Sequence, residues 1–275
     1  MLGFENLESR QLFAGGTPTP GPTPDPQPAP YVPPEIINPN PGQPAPTLGG
    51  GVLIVNGTRA NDWLDVWQDF TTGQINAYVN GATWSYDARD VSRVLINGWK
   101  GNDILCVEMM NDRGVVALGG DGDDFIDVGG YGALTAQWGR FEGENGRDVV
   151  SFARRIDTVQ VNVGVETASG TGDYIHVTDS VEEIIGSDYA DTISAADATH
   201  AVVLRGGWGN DTLTGSAFND QLYGNDGNDR LFGESGDDYL DGGANADVVS
   251  GGAGYDRARF TIGDSIFSDV ELTFI

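Results

Sequence analysis

The stretch Gly206–Arg259 reads GGWGNDTLT GSAFNDQLY GNDGNDRLF GESGDDYLD GGANADVVS GGAGYDRAR, six nonapeptides with no residue left over. A fixed internal period outranks local propensity as evidence of fold, because each unit is one supersecondary element repeated. Position 1 is glycine in all six units (Gly206, Gly215, Gly224, Gly233, Gly242, Gly251), and position 6 is aspartate in all six (Asp211, Asp220, Asp229, Asp238, Asp247, Asp256). Position 8 is apolar throughout: Leu213, Leu222, Leu231, Leu240, Val249 and Ala258. Further glycines stand at positions 2 and 4, among them Gly207, Gly209, Gly227, Gly236, Gly252 and Gly254.

Glycine at these positions permits positive φ and tight turning, so the loop carbonyls can converge on one point, where the aspartate adds a charge. Positions 7 to 9 make a minimal strand whose middle side chain points inward and whose neighbours point out. Each unit is therefore a half-turn, and two units close one turn of a parallel roll. Unit n stacks on unit n+2. That stacking puts Asp211, Asp229 and Asp247 on one edge and Asp220, Asp238 and Asp256 on the other.

The spacing matches the pattern G-G-x-G-x-D-x-U-x, and the array resembles the RTX, or hemolysin-type, calcium-binding repeat family. The resemblance implies an all-β fold, a right-handed parallel β-roll or β-solenoid, in which stacked loops hold several Ca²⁺ ions through backbone carbonyls and aspartate side chains. The residues so implicated are Gly206, Gly207, Gly209, Asp211, Asp220, Gly224, Gly227, Asp229, Gly233, Gly236, Asp238, Gly242, Asp247, Gly251, Gly252, Gly254 and Asp256. Phe218 and Asn245 stand where position 4 wants glycine, which makes Asp211, Asp229, Asp238 and Asp256 the first ligands expected. Single copies recur upstream: GTRANDWLD (57–65), GWKGNDILC (98–106), GGDGDDFID (119–127), GENGRDVVS (143–151) and GSDYADTIS (186–194). They add Asp103, Asp124, Asp148 and Asp191 to the metal candidates, although Asp103 and Asp124 depart from the 18-residue spacing of stacked units.

Charge favours a metal-loaded fold. The chain of 275 residues has 41 Asp+Glu against 14 Lys+Arg, a formal charge of −27. Such a field repels phosphate backbones and anionic lipid, so nucleic acid is excluded as a partner and divalent cations are invited. Like charges stacked ~5 Å apart oppose strand pairing, and one small apolar side chain per nonapeptide builds a thin core. Folding coupled to the ion is the expectation. Calcium suits these loops better than magnesium, which demands tight octahedral geometry and gives up water reluctantly. With Cys106 as the single cysteine, a disulfide within the chain and a Cys-rich zinc site are excluded.

Enzyme motifs are missing. No HExxH or GxSxG is present, the two histidines (His176 and His200) read as strand residues, and Ile126 excludes an EF-hand at 121. No proline follows Pro46, so no Asp-Pro-His motif exists. The outward side chains of WLDVWQ, Trp63, Asp65 and Trp67, joined by Tyr78, Trp84 and Tyr86, could form a platform for carbohydrate, but cross-strand aromatic packing is the simpler account of them.

The remainder of the chain divides into a tag at 1–16, a Pro-rich linker at 17–48, a β-solenoid with scattered repeats at 49–185, the dense roll at 186–260, and a C-terminal cap or export signal at 261–275. FENLESRQL near the start looks like the F-E-x-L-E-x-R-x-L tag of large bacterial surface proteins. No segment has the ~18 apolar residues of a transmembrane helix, and Glu5, Glu8 and Arg10 interrupt any ordinary signal peptide. The sequence thus predicts a secreted or cell-surface protein that binds calcium, is not an enzyme, and acts as a structural or adhesive module contacting a polysaccharide or another cell-surface protein. The alternative is a carbohydrate-active β-helix enzyme, a lyase, epimerase or hydrolase, carrying a calcium module.

Overall fold

The computed structural model describes residues 45–108, 114–130, 138–164, 174–259, 261–267, 269–270 and 272–274; the tag and most of the proline-rich linker lie outside them. Within these residues the chain is all β, with one 3-10 turn at Ala88–Asp90. The strands are β1 (Thr47–Gly49), β2 (Val52–Asn56), β3 (Trp63–Asp69), β4 (Gln74–Val79), β5 (Ala82–Asp87), β6 (Arg93–Lys100), β7 (Ile104–Glu108) and β8 (Gly114–Asp121). There follow β9 (Phe125–Gly129), β10 (Trp138–Asn145), β11 (Val149–Ser151), β12 (Gln160–Val163), β13 (Tyr174–Val177), β14 (Glu183–Ile185), β15 (Thr192–Ser194) and β16 (Val203–Trp208). The last are β17 (Thr212–Thr214), β18 (Gln221–Asp226), β19 (Arg230–Phe232), β20 (Tyr239–Ala244), β21 (Val248–Ser250), β22 (Arg257–Arg259), β23 (Ser265–Ile266) and β24 (Leu272–Phe274).

Two twelve-stranded sheets hold them all. Sheet A runs β1-β2-β6-β8-β10-β13-β12-β15-β17-β19-β21-β23, and sheet B runs β5-β4-β3-β7-β9-β11-β14-β16-β18-β20-β22-β24. Chain order is broken twice: in sheet A β13 sits between β10 and β12, and at the N-terminal end of sheet B the order reverses through β5-β4-β3. The pairing is parallel apart from β1 with β2, β3 with β4 and β4 with β5, which finish the N-terminal end. In the tandem array the stacking is unit n on unit n+2: Leu213 faces Leu231 and then Val249, while Leu222 faces Leu240 and then Ala258. Both sheets cross position 185 without a break, so the scattered and dense repeats form one solenoid. Thr47 and Leu48, expected in the linker, already pair with β2.

The inward side chains make a single core between the sheets. Longer N-terminal strands bury two apolar side chains each, such as Leu53 and Val55 or Val94 and Ile96, whereas each tandem strand buries one. The core narrows toward the C-terminus for that reason. Leu64 and Val66 point inward and Trp63 and Trp67 outward, as alternation predicts. Trp63 packs edge-on against Tyr78, with ring centroids 5.4 Å apart. Trp84 and Tyr86 do not join that face, contrary to expectation, because the β4–β5 register sets them opposite Ala77 and Ile75 and packs them against the core. His176 lies on β13, but His200 is outside any strand, its ring nitrogens each 2.9 Å from the Ala201 and Asp179 carbonyl oxygens. β23 and β24 close the C-terminal ends of the two sheets, the place of a capping strand.

Candidate metal centre

The loops that join the sheets stack along two edges. Loops running from sheet A to sheet B put Asp62, Asp103, Asp124, Asp148 and Glu182, and later Asp220, Asp238 and Asp256, immediately before a strand of sheet B. Loops returning from B to A put Asp191, Asp211, Asp229, Asp247 and Asp264 immediately before a strand of sheet A. The isolated upstream copies therefore belong to the same stack as the tandem ones. The 21-residue interval between Asp103 and Asp124 does not disturb it, since the loops keep their length and the added residues fall between them.

Each aspartate is tied to its neighbour by the same bond. The backbone N–H of Asp103 donates to Asp124 Oδ1 at 2.7 Å, that of Asp124 to Asp148 Oδ1 at 2.8 Å, and that of Asp148 to Glu182 Oε2 at 2.7 Å. On the other edge Asp191 donates to Asp211 at 2.7 Å, Asp211 to Asp229 at 2.8 Å and Asp229 to Asp247 at 2.8 Å. Asp220 donates to Asp238 at 2.8 Å and Asp238 to Asp256 at 2.9 Å. A second ladder, not anticipated from the sequence, runs through position 5 in the opposite sense: Asn228 N–H donates to Asn210 Oδ1 and Asp237 N–H to Asn219 Oδ1. Its trace in the sequence is the recurrent Asn or Asp before the position-6 aspartate.

One carboxylate oxygen is thus accounted for. The other is buried and accepts no hydrogen bond in Asp103, Asp124, Asp148, Asp211, Asp229, Asp238 and Asp247. These residues are 0–2% exposed. Each such Oδ2 crowds the position-1 glycine of its own loop; at Gly98, Gly119, Gly206, Gly224 and Gly233 the carbonyl of the glycine one coil on converges there too, and at Gly143 the carbonyl is that of Ser180. A Cβ on Gly206 would meet Asp211 Oδ2 at 2.2 Å and the Gly224 carbonyl at 2.7 Å; on Gly98 it would meet Asp103 Oδ2 and the Gly119 carbonyl, both at 2.4 Å. Glycine is required at position 1 to leave that space to oxygen.

A buried carboxylate oxygen with no donor is costly unless a cation or a proton takes it. Burial pushes the carboxyl of Asp103 up to about 8, those of Asp148, Asp211, Asp238 and Asp247 up to about 7, and those of Asp124 and Asp229 up to about 6, with nearby carboxylates adding to each rise. Among the described residues no cluster of three or more acidic, histidine or cysteine side chains converges on one point. An ion seated here would draw a carboxylate from a loop and would take further ligands from the backbone carbonyls beside it. All-oxygen ligation of that flexible kind is what calcium accepts, so the residues fit the ion.

Two overlapping stretches, residues 205–240 and 223–258, each match the four-copy family model of the RTX calcium-binding nonapeptide repeat. Residues 205–258 carry RTX calcium-binding repeats. No curated protein matches the chain. The RTX match covers the tandem array, and the ladder geometry continues upstream of it through Asp103, Asp124 and Asp148. Asp191 and Asp220 stand in the ladders but differ from the seven aspartates above: both of their oxygens are engaged, by Ser187 and Ser216. Among the described residues no helix is long and apolar enough to cross a membrane.

Proposed function

We propose that this chain is a secreted or cell-surface structural or adhesive module, not an enzyme, whose solenoid completes its folding when calcium enters the two loop edges. What supports this reading is the row of buried Oδ2 atoms with no hydrogen-bond donor, most of them beside a backbone carbonyl of the next stacked loop, an all-oxygen set of the kind calcium takes. Extracellular calcium is plentiful where cytosolic calcium is scarce, so a fold that waits for calcium suits a protein that folds after export. The exposed aromatics Trp99, near the end of β6, and Trp208, at the end of β16, offer contact to a polysaccharide or a neighbouring surface protein. The test is far-UV circular dichroism of the full chain in EGTA, then with calcium or magnesium added. A cooperative gain of β signal with calcium and little with magnesium is expected; a full β signal in EGTA whose melting temperature ignores calcium overturns the proposal.

The enzyme reading draws on a different observation. Outward from sheet B, Asp65, Cys106 and Asp127 lie in one cross-strand row beside Trp63 and Trp67. Burial and the Glu108 charge push the Asp65 carboxyl up to about 7, a range suited to proton transfer. Release of reducing or unsaturated ends from a polysaccharide panel, lost in Asp65→Asn, would favour it.

A further inference from the structure

Three loops repeat a different hydrogen-bond set. In 57–62, 186–191 and 215–220 position 2 is Thr58, Ser187 or Ser216, and its backbone N–H donates to the Oδ2 of the loop's own aspartate at 2.5 Å in every case. The hydroxyl donates to the same carboxylate at 2.9–3.1 Å. The position-4 N–H, from Ala60, Tyr189 or Phe218, donates in turn to that hydroxyl at 3.1–3.2 Å. Asp62, Asp191 and Asp220 are consequently closed on themselves.

The backbone divides in the same way. In the loops at 98, 119, 143, 206, 224, 233, 242 and 251, positions 2 and 4 both have positive φ, even where the residue is Trp99, Glu144, Asn225, Glu234 or Asn245. In the three closed loops neither position does. A left-handed position 2 turns its N–H away from the local carboxylate; a hydroxyl residue in ordinary conformation points it inward.

Place in the stack supplies the reason. Each closed loop is the first aspartate of a ladder. Asp62 opens the first; Asp191 follows a coil where Val159, not an acid, donates its N–H to Asp191 Oδ1; and Asp220 follows a coil where Val202 does so. In the loops of Asp191 and Asp220 the ladder position of the outer coil is held by Val159 or Val202, so an ion there would lack a ladder aspartate on that side. The far end of the second ladder is closed likewise, with Thr261 N–H donating to Asp264 Oδ2 at 2.5 Å.

We infer that Thr58, Ser187 and Ser216 convert their loops into metal-free terminal caps, and that calcium is confined to three separate ladders bounded by them: 98–148, 206–247 and 233–256. The inference rests on the calcium-binding reading and restricts it. Bound calcium per chain, measured by equilibrium dialysis on the full chain, tests it. Asp238→Asn is expected to lose at least one ion and Asp220→Asn none. If the unsubstituted chain binds no calcium, the functional reading itself fails; if it binds and Asp220→Asn loses as many ions as Asp238→Asn, the cap assignment alone is overturned. Should Asp220→Asn fail to fold by circular dichroism, Ser216→Gly with Phe218→Gly decides: a gain of one ion per chain supports the cap, and an unchanged or lower count overturns it.

Discussion

Asparagine, tryptophan or glutamate can hold position 2 of an open loop with positive φ, yet position 4 is far less forgiving. A Cβ on Gly122, whose φ is +142°, would stand 1.9 Å from the Gly101 carbonyl of the coil before it, so alanine must push two coils apart. Gly73 also has positive φ, +70°, but nothing lies within 4 Å of its Cβ position. Gly122→Ala should cost about 3 kcal/mol or more, combining strain with overpacking, against about 1 kcal/mol for Gly73→Ala. Denaturant unfolding in saturating calcium measures both, and equal losses would refute the argument. The glycines at positions 1 and 4 were legible from spacing alone. That Ser187 and Ser216 close their loops was not, because a hydroxyl at position 2 reads as an ordinary turn residue until its carboxylate partner is placed.

At the scale of the strand, the tandem coils are held by one inward side chain per three residues. Leu222 on β18 is fully buried between Leu204 and Leu240 of the adjacent strands. Leu222→Ala is expected to destabilise the calcium-loaded protein by about 2–5 kcal/mol, whereas Arg230→Ala, at an exposed position of β19, should stay within about 0.5 kcal/mol. A small effect at Leu222 would mean that the ions alone hold these coils. The pairing of β17 with β19 and of β18 with β20 follows from the 18-residue period. The partners of β12 and β13 do not, since no period relates them and only contact in the folded chain decides which lies next to β10.

For the whole molecule, pH reports the balance between protons and calcium. The ladder carboxyls have folded values raised to about 6–8 by burial, above their ordinary value of 3.8. Without calcium the folded state therefore binds more protons than the unfolded one through these carboxyls, and the stability they contribute is fully present below their ordinary value and is lost as pH rises through about 6 to 8. Calcium must displace those protons, so its stabilising effect grows over the same interval. The difference in melting temperature between calcium and EGTA should widen steadily from pH 5 to pH 8. A difference independent of pH would show that the ladder aspartates are not the ligands.

The sequence by itself determined the all-β class, the two-unit turn, the inward row of leucines and the aspartates of the tandem array, because a strict period forces equivalent residues into equivalent places. Only the tertiary structure decided that Asp103, Asp124 and Asp148 continue the same stack, and that Asp62, Asp191 and Asp220 close its ends. Those facts depend on which loops lie against each other across 20 to 41 residues of chain and on which oxygen of each carboxylate finds a donor. Periodicity marks candidates for such contacts; packing selects among them.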